Sequence, residues 1–144
     1  KADIIDNAYV IVNFENGVRA LLDLCMFAEN STNQEELCAV GDIGKIETAV
    51  PSASSGKNSS ELRIGYRENG KTHNEVVEVD EEILKVGNHH GSTYYEHISF
   101  LDSIKSSKPA AVSLNDGLQA VAIGEAAEIS IKENRIVKMD EFKI

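Results

Sequence analysis

The 144-residue sequence predicts an α+β fold: a large open, mainly antiparallel β-sheet with two helices packed on one face. Two observations predict it. Apolar residues recur with period two through the first two-thirds of the chain, and with a helical period of about 3.6 after residue 92. Three short turn sequences (Glu15-Asn16-Gly17, Gly41-Asp42-Ile43-Gly44 and Glu68-Asn69-Gly70-Lys71) each separate two strand-like runs. Strands first and helices afterwards is the order of an α+β fold.

The first hairpin joins residues 8–14 (AYVIVNF) to residues 18–27 (VRALLDLCMF). Asn16-Gly17 between them predicts a type I′ turn, because both residues tolerate the positive φ that it demands. The second hairpin joins residues 37–40 to residues 45–50, and the third joins residues 62–66 to residues 72–79. Between them, residues 51–60 (PSASSGKNSS) read as a polar, mobile connection. Thr93 with Glu96 three positions on is a capping-box pattern, opening a helix with Tyr94, Ile98, Leu101 and Ile104 at helical spacing. Lys108-Pro109 ends it. Ser113 with Asp116 is a second such pattern, opening a helix over residues 114–132 whose apolar stripe is Leu118, Val121, Ala122, Ala126, Ile129 and Ile131. Residues 135–137 read as a short closing strand. Two helices cannot cover both faces of so broad a sheet, so the remaining face is either solvated or an interface.

Composition narrows the function classes. A formal net charge of -10 argues against binding nucleic acid or an anionic membrane surface, both of which call for a basic face. No apolar run approaches the roughly 18–20 residues needed to cross a bilayer, and the opening residues lack the apolar core of a signal peptide. The chain reads as cytoplasmic, and its start at Lys1 rather than Met reads as that of a fragment. Cys25 and Cys38 read as a buried, reduced pair, with a spacing that fits no zinc site.

The dense polar cluster is His89-His90-Gly91-Ser92-Thr93-Tyr94-Tyr95-Glu96-His97, at the junction of the last hairpin and the first predicted helix. Two readings stand for His89 and His90: the polar wall of a substrate pocket, hydrogen-bonding sugar hydroxyls, or partly exposed surface beside a helix cap. Tyr94 joins them in the pocket reading, although Tyr94 and Tyr95 read first as core or surface residues. His97 reads as structural. Gly41-Asp42-Ile43-Gly44 reads as a hairpin turn, since a dinucleotide fingerprint requires three spaced glycines leading into a helix. No catalytic residue, cofactor-binding residue or metal ligand is nominated.

Taken together, three segments carry a resemblance. They are His90-Gly91-Ser92-Thr93-Tyr94-Tyr95-Glu96-His97; Phe100-Leu101-Asp102-Ser103-Ile104 followed by Lys108-Pro109; and the helix Leu114-Asn115-Asp116-Gly117-Leu118-Gln119-Ala120-Val121 continuing through Ile123-Gly124-Glu125-Ala126-Ala127-Glu128-Ile129-Ser130-Ile131. In this order and spacing they resemble the carboxy-terminal domain of the glucose–fructose oxidoreductase and inositol dehydrogenase (Gfo/Idh/MocA) family. The resemblance implies that residues 1–144 are a substrate-side and oligomerisation domain whose partner, an amino-terminal Rossmann domain holding NAD or NADP, is absent from this chain. It implies a sugar, inositol or related polyol as the parent's substrate, and a homo-oligomer formed through the sheet face. The family's Gly-x-Gly-x-x-Gly, Glu-Lys-Pro and Asp-x-x-x-His segments do not occur here, so the chain alone is expected to be inactive. The alternative is a stand-alone binding or assembly module that uses the sheet face for protein contacts.

Overall fold

The computed structural model describes residues 4–86 and 89–142. In chain order the elements are β1 (Asn7–Asn13), β2 (Arg19–Cys25), β3 (Asn33–Val40), β4 (Gly44–Pro51), β5 (Ser59–Tyr66), β6 (Thr72–Glu78), α1 (Glu81–Val86), α2 (Ser92–Ser106) and α3 (Leu114–Glu133). This is the α+β class that the patterns predict, with open antiparallel sheets. The three hairpins form two sheets rather than one: β1-β2, and β3-β4-β5-β6. The chain divides into two compact units, Lys1–Ala28 with Pro109–Ile144, and Glu29–Lys108.

In the first unit, alternation along β1 turns Ala8, Val10 and Val12 to a half-buried face and leaves Tyr9 and Ile11 exposed. Register runs from Asn7 opposite Cys25 to Asn13 opposite Arg19. The turn between them departs from the type I′ expectation. Gly17 takes the left-handed conformation (φ 85°) and Asn16 does not. The Phe14 N–H donates to the Val18 carbonyl at 2.9 Å, and the Gly17 N–H donates to the Phe14 carbonyl at 3.0 Å. Asn16 instead accepts the Val18 N–H on its side-chain oxygen at 3.1 Å. A type I turn followed by one left-handed glycine needs only a single positive φ.

Helix α3 opens as predicted. Ser113 accepts the Asp116 N–H on its hydroxyl (3.2 Å), while the Asp116 carboxylate accepts the Ser113 N–H (2.8 Å). Hydrogen bonding from the Ser113 hydroxyl and N–H holds the Asp116 carboxyl below its usual range. The predicted stripe is corrected. The more buried side of α3 carries Ala122, Ala126 and Ile129, whereas Leu118, Val121 and Ile131 are exposed. Both Ala122–Ala126–Ile129 and Leu114–Leu118–Val121 follow i, i+4, i+7 spacing, so periodicity could not separate them.

Residues 135–137 form no strand. The Ser130 hydroxyl donates to the Arg135 carbonyl at 2.7 Å, and the Arg135 guanidinium is held by Glu133 and Glu141. The segment is therefore tied to the end of α3 and to a 3-10 turn at Met139–Glu141 rather than laid out for a ladder.

In the second unit, cross-strand partners share a face of the sheet. Ala39, Ile46 and Ile64 make one apolar row, and Leu37, Thr48 and Leu62 extend it. Cys38, Glu47, Arg63 and Asn74 form a polar row on the other face. Lys45 bonds Glu47 at 2.7 Å, which raises the lysine and lowers the carboxylate from their usual ranges. The expectation of buried cysteines fails here for a plain reason. Cys38 lies in the polar row and Cys25 ends β2, so both are free and exposed thiols.

The turns at one end of this sheet are tied together. The Gly41 N–H donates to the Gly44 carbonyl at 2.8 Å, and the Arg67 N–H reaches the Ile43 carbonyl at 3.0 Å. The polar connection after β4 contains a 3-10 turn at Ala53–Ser55 whose first N–H groups include one bonded to the Ser52 hydroxyl. After β6, Asp80 caps the short helix α1 by accepting the Glu82 N–H at 2.8 Å. Periodicity did not predict α1. The local signal was Asp80 ahead of an acidic first turn (Glu81, Glu82), with Lys85 in the last.

Helix α2 starts one residue before Thr93, with Gly91 at the cap position and no side-chain cap bond, so the predicted Thr93–Glu96 box is not formed. Its end is as predicted. Ser107 turns left-handed, the Lys108 N–H donates back to the Ser103 carbonyl at 3.0 Å, and Pro109 follows. Tyr94, Ile98, Leu101 and Ile104 are all exposed. Among the described residues, no helix is long and apolar enough to cross a membrane.

Candidate functional site

The predicted histidine cluster folds into an unusual turn. His89 (φ 52°), His90 (φ 53°) and Gly91 (φ 85°) are consecutive left-handed residues. For a glycine this is unstrained, but each histidine in that region costs about 1–2 kcal/mol. Strain of this kind persists only where surrounding contacts hold it, and such positions concentrate at functional sites. The contacts here are visible. Gly91 is buried, and a Cβ on it would come within 3.0 Å of both Ile83 and Val79. The turn thus packs tightly where the end of β6 leads into α1.

His89 is anchored across the chain. Its Nδ1 lies 2.6 Å from a Glu35 carboxylate oxygen and 3.1 Å from the Gln34 side-chain nitrogen. One nitrogen cannot both donate to Glu35 and accept from Gln34. A carboxylate can only accept, so the shorter contact calls for a proton on Nδ1, donated to Glu35. With a proton there, the Gln34 nitrogen at 3.1 Å is a packing neighbour of the ring rather than its hydrogen-bond partner. Neighbouring residues in a strand normally point to opposite faces. The register of β3 against β4 slips between Asn33 and Glu35, a bulge that lets Gln34 and Glu35 both reach the same imidazole.

His90 contributes something different. Its Nε2 is buried and has no hydrogen-bond partner among the described residues. A buried polar atom without a partner loses its hydration for nothing, a cost of about 1–3 kcal/mol that a ligand oxygen could offset. Tyr94 is placed by another contact. It sits exposed in the first turn of α2, with its ring edge-on to Tyr95 at 5.7 Å between centroids. His97 donates from Nδ1 to the Thr93 carbonyl at 2.8 Å within α2.

Of the predicted pocket residues, the structure joins His89 and His90 in one left-handed turn, with Tyr94 just beyond it on α2. Sequence reading missed Glu35 and Gln34. The available signal was a pair of adjacent glutamates, Glu35-Glu36, in a strand-like segment where carboxylates are scarce. A separate cleft of about 870 Å³ lies across the β3–β4 and β5–β6 turns, lined by residues such as Val40, Ile43, Tyr66 and Arg67. The histidines do not line it.

Residues 1–139 match the model for the Gfo/Idh/MocA oxidoreductase family, C-terminal alpha/beta domain. The chain belongs to that family. It is also 26% identical, over 149 aligned positions covering 98% of its length, to a myo-inositol 2-dehydrogenase from Thermotoga maritima. The chain spans 38% of the length of that relative. Within the domain, Gly41 and Gly44 have a structural place. They close a hairpin from β3 to β4 and a strand follows, as the turn reading of Gly41-Asp42-Ile43-Gly44 predicts.

Proposed function

We propose that this domain is the substrate side of an NAD(P)-dependent oxidoreductase acting on a sugar, inositol or related polyol. The match of residues 1–139 to the oxidoreductase C-terminal domain carries the reading. The likeness to a myo-inositol 2-dehydrogenase supports a polyol as the substrate class. Hydride transfer requires a nicotinamide held against the substrate carbon. In this reading the cofactor is held by a Rossmann domain of the parent protein, and this domain by itself does not transfer hydride. His89, His90 and Tyr94 form part of the wall that receives the substrate hydroxyls.

The same reading assigns the exposed sheet faces to assembly. On the outer face of β1-β2, Tyr9 is 77% exposed and Ile11 70%, with Leu21 directly opposite Ile11. Such an exposed apolar pair supports that assignment, because covering it removes apolar surface from water. A free-standing assembly module would share that surface, but it leaves the oxidoreductase match without a role.

The deciding experiment uses the complete protein encoded by the parent reading frame, assayed with myo-inositol and either NAD or NADP. His90→Ala should raise KM roughly five- to tenfold, the loss of about one hydrogen bond, without loss of folded protein. Unchanged KM and kcat would overturn the pocket assignment. No reduction of either cofactor with any polyol tried would overturn the activity itself.

A further inference from the structure

We infer that Glu35 is a positioning residue for the histidine turn: its carboxylate fixes His89 in the Nδ1-protonated form and leaves Nε2 as a hydrogen-bond acceptor. This rests on the reading of His89 as a pocket-wall residue. Three observations carry it, each independent of that reading.

The first is the contact itself. Glu35 and His89 are 54 positions apart in sequence, so nothing local brings them together, yet the carboxylate and Nδ1 are 2.6 Å apart. The second is the bulge at Gln34. A regular strand would send Gln34 and Glu35 to opposite faces, and the slipped register brings both to Nδ1 instead. The Gln34 side-chain nitrogen stands 3.1 Å from the same Nδ1, so both side chains converge on one ring atom. The third is the backbone of the turn. His89 and His90 hold left-handed conformations that side chains disfavour, and a tether from β3 is what such a turn needs to persist.

The chemical consequence concerns the other ring nitrogen. A neutral imidazole carries one N–H and one lone pair, so a proton fixed on Nδ1 makes Nε2 an acceptor. An acceptor suits a hydroxyl compound, which can always supply an O–H donor. A carboxylate or phosphate could not, and would instead require a donor at that position. Glu35 therefore sets which ligand chemistry His89 can serve, although it need not touch the ligand itself.

The test is the tautomer of His89 in the 144-residue chain, read by long-range proton–nitrogen correlation on nitrogen-15-labelled protein. At about pH 8.5 an ordinary imidazole is neutral, so the two nitrogens report separately. The expected spectrum shows His89 protonated on Nδ1. Glu35→Ala should transfer most of that population to the Nε2-protonated form, while His97, bonded to Thr93 within its own helix, stays unchanged as an internal reference. Glu35→Gln, which keeps a carbonyl acceptor and the strand's shape, should retain the Nδ1 form and serves if the alanine variant fails to fold. An Nε2-protonated His89 in the unaltered chain overturns the inference. So does a tautomer indifferent to Glu35→Ala when the backbone spectrum is preserved. No polyol is present in these measurements, so their failure is separate from any failure of the substrate reading, which the KM of the complete protein tests.

Discussion

Arg135 holds Glu141 through two parallel hydrogen bonds, Nη1 to one carboxylate oxygen at 2.9 Å and Nη2 to the other at 2.8 Å. Its Nε donates at the same time to Glu133 at 2.6 Å. The guanidinium fork matches a carboxylate in this way where a lysine could not. The Arg135 bonds, with a further one from the Lys138 N–H, push the Glu141 carboxyl down to about 2. Because the folded value lies below the ordinary one near 4.3, the pair's contribution to stability is present above that pH and is lost as pH falls toward 2. The pair is solvent-exposed, so salt should weaken it. A carbon-13 carboxyl titration should place Glu141 well below the other glutamates, and Arg135→Ala should return it to the ordinary range. A Glu141 that titrates near 4.3 in the unaltered protein would remove the pair from the folded state.

Gly44 makes a different kind of demand. A Cβ placed on it would run into the Gly65 carbonyl oxygen, a backbone atom that cannot swing aside. The neighbouring turn glycine, Gly41, would meet nothing closer than the Gly44 carbonyl oxygen at 3.9 Å, and its φ is not in the left-handed region. Gly44→Ala should therefore destabilise by about 1–3 kcal/mol, as overpacking does, while Gly41→Ala stays within about 0.5 kcal/mol. Urea unfolding of the two variants checks the contrast. Equal midpoints would show that β4 and β5 do not approach as closely as this.

The two predicted helix starts came out oppositely, which yields a paired test. Ser113 accepts the Asp116 N–H and so caps α3, whereas Thr93 lies inside α2 behind Gly91. Ser113→Ala should cost about 1 kcal/mol and Thr93→Ala less than about half that. A larger loss at Thr93 than at Ser113 would place the start of α2 where the sequence pattern alone put it.

What the sequence made legible followed from local chemistry. Hairpin positions were readable because Gly17, Gly44 and Gly70 occupy places where turn geometry or close approach leaves few alternatives. The start of α3 was readable because Ser113 and Asp116 satisfy each other over three residues. What failed depended on position in space. The division of six strands into two sheets, the exposure of Cys38 and the choice between two apolar lines on α3 are set by neighbours distant in sequence. The candidate site shows the same boundary. His89 and His90 stood out as a cluster, but Glu35 reaches His89 from 54 positions away through a slipped register that no periodicity reveals.

The thiols give the simplest check on the strand faces. With both cysteines exposed, a disulfide reagent should titrate two thiols per chain in the native protein, without denaturant. Cys38 should be protected only if the polar face of its sheet is covered. Reaction of Cys25 but not Cys38 in buffer, with Cys38 released by denaturant, would show that covering directly.

Ile11 and Leu21 oppose each other on the outer face of β1-β2, 70% and 66% exposed. A two-stranded ribbon is marginal by itself in water, so an exposed apolar pair on it gains most from being covered. If that face serves assembly as proposed, the chain should sediment as a dimer or larger species at about tens of micromolar, the range of a moderate interface. Leu21→Glu, which faces solvent in the single chain, should leave helix content unchanged and shift the distribution toward monomer. Cys38→Ser, on the polar row of the other sheet, should leave it unchanged. A monomer at every concentration would assign the exposed β1-β2 face to something other than a second copy of this chain. A dimer indifferent to Leu21→Glu would move the contact elsewhere on the molecule.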